Sequence, residues 1–157
     1  MARKSEILAA FDDAWSYKWE SLESVLDGIT EEVAAYRHTI YSDVEREPGY
    51  PPSGTILWHV VHLAHCYRHY ANGIERRPAP HEEFPVPEAH SLAEAISNLK
   101  RYRAELRNAI ASVPEDRLDD KVFDYDSAAH LVRMIVRHDA WHASQIAVVK
   151  RMHRMRD

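Results

Sequence analysis

Two histidines four residues apart, in His138-Asp139-Ala140-Trp141-His142, carry the strongest chemical signal in this chain. On a helix, residues i and i+4 stand one above the other. At 3.6 residues per turn, Leu131, Ile135, His138, His142, Gln145 and Val149 fall within about 80° of arc. Both imidazoles therefore sit in the middle of an apolar stripe. A buried polar ring needs a hydrogen-bond partner or a metal ion. A lone core histidine is ordinarily satisfied by a neighbouring side chain or backbone group. Two of them, one turn apart and aimed at one core, are a donor pair for a divalent ion. Gln145 is either a support for them or packing. Asp139 lies at the edge of the stripe.

A third ligand has to come from another element. Eight of the eleven histidines fall in two segments, 59–69 and 130–153. The first segment offers His59, His62, His65 and His69. The helical wheel puts His59 nearest the apolar face and His62 at its edge. It puts His65 and His69 on the solvated side. Periodicity leaves both His59 and His62 open as the third donor.

Four segments with apolar residues at helical spacing position these groups. The first spans about 5–29, with Ile7, Phe11, Trp15, Leu22, Leu26 and Ile29 as its stripe and Ser5 as a cap. The second spans about 53–74, with Ile56, Val60, Leu63, Tyr67, Tyr70 and Ile74 on one face. Pro51 and Pro52 bar continuation from upstream, and Ser53 is placed to cap it. The third spans about 91–113. Ser91 with Glu94 reads as a capping box, and Pro114 stops the helix. The fourth spans about 127–155. The 30–52 connection has room for a short helix after Thr30, and 121–125 reads as briefly extended. Helices of such length bury their stripes only against one another, which predicts an all-α four-helix bundle forming a single domain over 1–157.

The segment Thr55-Ile56-Leu57-Trp58-His59-Val60-Val61-His62-Leu63-Ala64 resembles the second-helix motif of the DinB/YfiT-like superfamily, where a Trp precedes the metal-binding His by four residues. His138-Asp139-Ala140-Trp141-His142-Ala143-Ser144-Gln145-Ile146 is similar to that family's last-helix motif, a His-xxx-His followed by Gly-Gln-Ile or Ser-Gln-Ile. Thr30-Glu31-Glu32 and Val113-Pro114-Glu115-Asp116-Arg117-Leu118 also look like family connections. The resemblance covers nearly the whole chain. It selects His62 over His59, giving His62, His138 and His142 as the metal set. It implies an up-down-down-up bundle, often dimeric, holding zinc, nickel or a similar divalent ion. Members with known activity include transferases of low-molecular-weight thiols and a maleylpyruvate isomerase.

Three imidazoles form a neutral donor set that suits zinc or nickel and leaves a coordination position open. The expectation is a metal-dependent enzyme, either a thiol S-transferase or a hydrolase, acting on a small molecule. The alternative is a non-catalytic protein that binds the metal or a small ligand. Asp139 is one methylene too short for the glutamate of a His-Glu-x-x-His peptidase. Residues 53–74 contain no acid, which argues against a di-iron bundle. Cys66 reads as a small buried thiol rather than a nucleophile. A net charge of −5 argues against nucleic acid. The basic cluster Lys150, Arg151, Arg154 and Arg156 suits the end of a helix dipole. One cysteine, no apolar leader and no 18-residue apolar span read as a cytoplasmic protein with no membrane partner. Leu57, Val61 and Ala64, with Trp58 beside them, form a second apolar set on the second helix and predict a homodimer, unless the 30–52 connection covers them.

Overall fold

The computed structural model describes residues 2–39, 47–75 and 84–156. Its elements are α1 (Ala2–Ser16), α2 (Leu22–Leu26), α3 (Glu31–Ala35), α4 (Ile56–Glu75), α5 (Leu92–Ser112) and α6 (Ala128–Arg154), with a 3-10 turn at Glu115–Arg117. Among the described residues there is no strand, and residues 122–125 form a tight turn closed by a bridge between Val122 and Tyr125. No described helix is long and apolar enough to cross a membrane. Pro78, Pro80 and His81 lie outside the described residues.

Serine and threonine hydroxyls start five of these helices, α2 to α6. The side chains of Ser21, Thr30, Ser91 and Ser127 accept from the backbone N–H three residues on, each satisfying a donor that the helix cannot. Glu94 answers Ser91, but its carboxylate accepts from the N–H of His90 rather than that of the cap. α5 ends at Ser112, just before Pro114. The basic C-terminal cluster is structural in part: Lys150 Nζ donates to the carbonyls of Val25 and Asp27, closing α2, and Arg156 pairs with Glu32.

Two expectations about helix starts are corrected. The first segment is not one helix over 5–29: α1 begins at Ala2, so Ser5 is no cap, and it stops at Ser16. Ser16 Oγ donates back to the Asp12 carbonyl, Glu20 adopts φ 62°, and Ser21 restarts the chain as α2. Residues 17–20 leave the core, with Tyr17 and Trp19 exposed. In the second segment Thr55, not Ser53, caps the helix: its hydroxyl accepts from Trp58 N–H and donates to the Pro52 carbonyl.

α1 lies against α5 and α6, and α4 lies against α5 and α6, so the four long helices enclose a common core. Phe11, Leu22, Ile56, Leu63, Tyr67, Leu99, Leu106, Leu131, Ile135 and Ile146 fill it. α4 also touches α3. With neighbours on several sides it needs more than one apolar stripe. Val61 and Ala64 are 2% and 1% exposed within one chain, and Leu57 is half-buried. The set of Leu57, Val61 and Ala64 is therefore not an open surface, and the homodimer expected from it loses that support.

Gly73 owes its place to a close approach. A Cβ there would fall 1.8 Å from the Phe123 ring, which stacks on His69 at 4.8 Å. Gly73→Ala is expected to displace that ring and to cost about 1–3 kcal/mol, the usual range for overpacking. Urea unfolding measures this, and an unchanged midpoint would show that the 122–125 turn moves aside freely.

Candidate metal centre

α4 and α6 meet where His62 faces His138 and His142. One nitrogen from each of the three rings lies within 4.8 Å of the others. The Nε2 atoms of His138 and His142 are 3.0 Å apart. Two donors at tetrahedral positions around one zinc ion stand about 3.3 Å apart, from Zn–N bonds of 2.0–2.1 Å. The spacing therefore fits a shared ion with little movement. Among the described residues, His62 Nδ1 and His138 Nδ1 are buried without a hydrogen-bond partner, as is the indole N–H of Trp58. Such orphaned polar atoms are uncommon in a finished core. Among the described residues this trio is the one His, Cys, Asp or Glu group with ligand spacing.

The environment keeps these rings neutral. Burial pulls His59 and His62 down to about 4 and His142 to about 2, with neighbouring imidazoles adding to the effect at His62 and His142. His138 is lowered by burial as well. Neutral imidazole is the form that donates a lone pair to a metal. Trp58 stacks on His62 at 4.7 Å with an interplanar angle of 9°, fixing the plane of that ring.

The other histidines of α4 have different duties. His59 is 5% exposed, and its Nδ1 is hydrogen-bonded to Nδ1 of His142 at 2.8 Å. It stands behind a candidate ligand rather than in the trio. His65 is not idle in solvent, as the wheel suggested. Its Nε2 is 2.8 Å from the Phe84 carbonyl, which can only accept, so Nε2 carries the proton. Its Nδ1 then accepts from the Tyr50 hydroxyl at 2.5 Å. With both nitrogens engaged, His65 has no lone pair to offer an ion. His69, also expected in solvent, stacks on Phe123.

Asp139 departs furthest from the wheel. It is fully buried, turned from the histidines toward Tyr67, whose hydroxyl donates to Oδ1 at 2.8 Å. Its Oδ2 has no hydrogen-bond partner among the described residues. Burial raises its carboxyl to about 7, against the Tyr67 hydrogen bond and the charge of Arg103. Arg103 is itself buried, donating to the Phe11 carbonyl and lying over the rings of Phe11 and Trp15. No local pattern announces this cluster, because Tyr67, Arg103 and Asp139 come from three helices. Cys66 sits one turn beyond His62, with Sγ 3.5 Å from its Nε2, but outside the trio. Burial pushes its thiol up to about 12, the state of an inert thiol. Gln145 is half-buried one turn past His142.

A family model described as the DinB superfamily matches residues 14–146. No curated protein matches the chain, and no solved structure does.

Proposed function

The chain belongs to the DinB superfamily, and on that footing we propose that His62, His138 and His142 hold one zinc or nickel ion that activates a low-molecular-weight thiol for transfer to a small electrophile. The same membership supports arranging α1, α4, α5 and α6 as an up-down-down-up bundle. One observation carries the functional reading: three neutral donors converge with no fourth protein donor among the described residues. Such a set fills three positions and leaves another for a substrate. Bound there, the ion supplies Lewis acidity that favours the thiolate form of a coordinated thiol.

The protein's own residues favour thiol transfer over hydrolysis. A hydrolase of this kind gains from a carboxylate base close to the donors. The nearest acid in sequence, Asp139, is committed to Tyr67 in the core. A thiol, far more acidic than water, does not need that help. Trp58, Tyr50 and the half-exposed Trp141 give the neighbourhood of the cluster an aromatic character, suited to an unsaturated or aromatic electrophile.

The zinc-loaded protein, given a low-molecular-weight thiol and a panel of unsaturated electrophiles, is expected to consume thiol, and a chelator is expected to stop it. Metal binding without thiol consumption across the panel would refute the transferase and leave a binding protein. No uptake of zinc or nickel would refute the metal site itself.

A further inference from the structure

His142 lies in the middle of a chain of three imidazoles. Its Nδ1 meets Nδ1 of His59 at 2.8 Å, and its Nε2 meets Nε2 of His138 at 3.0 Å. A neutral imidazole has one N–H and one lone pair. His142 can therefore donate at one end only, and the chain has a direction. Either His59 donates to His142, which donates to His138, or the order is reversed.

An ion shared by His138 and His142 removes this freedom. It takes the Nε2 lone pair of His142, so the proton of that ring sits on Nδ1. Among the described residues that Nδ1 meets Nδ1 of His59, which must then accept and carry its own proton on Nε2. We infer that His59 is a positioning residue for the metal site, accepting a hydrogen bond from His142 Nδ1–H and so holding that ring with its Nε2 lone pair toward the ion. This rests on the metal site proposed above and adds a residue outside the ligand set.

The arrangement has a chemical consequence. Histidine ligands usually lean on a carboxylate or a backbone carbonyl. Here the acceptor is a neutral ring, 5% exposed, so no negative charge offsets the ion from behind. The full positive charge is left to act on whatever occupies the open position, which favours an anionic ligand such as a thiolate over a neutral one.

The test separates positioning from mere packing. Asparagine places Oδ1 close to where His59 carries Nδ1 and keeps the acceptor; leucine fills similar space without it. By competition titration with zinc, His59→Leu is expected to weaken affinity about 10–100-fold, the range for lost outer partners, and His59→Asn to stay within about fivefold of the parent. Thermal melting of the metal-free variants reports packing separately. A leucine variant that folds and binds zinc as the parent does would overturn the inference and leave the three-ligand site standing. Long-range nitrogen–proton NMR of the zinc-loaded parent decides the matter even where the leucine variant does not fold. His142 protonated on Nδ1 and His59 on Nε2 is the expected pattern, and His59 protonated on Nδ1 refutes it. A parent that takes up no zinc overturns both this inference and the reading beneath it.

Discussion

Replacing His142 with alanine is expected to lower zinc affinity by at least about a hundredfold, since even partners behind a ligand are worth 10–100-fold. His138→Ala and His62→Ala are expected to do the same. The reason is geometric: these rings supply the nitrogens that converge within 4.8 Å, and removing one leaves two donors for an ion that wants three or four. His65→Ala provides the contrast. It breaks the links to Tyr50 and Phe84, each worth about 1 kcal/mol, so it lowers the melting temperature while leaving affinity within a few-fold. Competition against a chromophoric chelator measures all four variants. A His62→Ala protein that binds as tightly as the parent would remove His62 from the ligand set.

Acid is expected to unfold the metal-free protein well before it unfolds a chain of ordinary surface histidines. His59 and His62 are held at about 4 and His142 at about 2, against 6.5 when unfolded. A depressed folded pKa contributes stability that is present above 6.5 and lost as pH falls toward the folded value. For His59 the shift corresponds to about 3 kcal/mol. Asp139 works in the opposite direction. Its folded value of about 7 lies above the unfolded one, so its contribution is present below about 4 and lost as pH rises toward 7. Between 6.5 and 4 several imidazoles oppose one carboxyl, and the imidazoles win. The rings interact, so their contributions do not add. The net effect is a loss of stability as the pH falls through this window, large against the marginal stability of a typical domain. Urea midpoints at steps from neutral to mildly acidic pH, with chelator present, measure it. Asp139→Asn should steepen the loss by removing the opposing slope. A midpoint that holds or rises as the pH falls would show that the cluster is more solvated than its burial implies.

The sequence was most legible where local chemistry decides the outcome. Ser91 caps a helix where its side chain predicts, Ser127 stands at the start that the apolar spacing gives the fourth segment, and Thr30 starts a short helix. Pro114 fixes the end of α5. The break after Ser16 was hidden because residues 17–20 contain neither proline nor glycine, and a left-handed Glu20 has no reliable sequence signature. Within the site, the i, i+4 pair on α6 was readable from one helix alone. The choice between His59 and His62 was not, because it depends on how α4 is rotated against α6. His65 and Asp139 were misread for the same kind of reason. Their partners, Tyr50, Phe84 and Tyr67, lie 15, 19 and 72 residues away, beyond the reach of a helical wheel.

The doubly bonded His65 also bears on the thermodynamics of whatever enters the site. Tyr50 precedes α4 and Phe84 precedes α5, yet one ring holds both, and Tyr50 lies 6.0 Å from the His62 ring. Segments that would otherwise fluctuate separately are thus fixed during folding. A ligand arriving beside the histidines meets a rim already in place and loses little configurational entropy in ordering it. Calorimetry on a bound thiol would accordingly register the hydration and contact terms of the ligand itself, with little of the compensating signature that accompanies a loop closing over its guest.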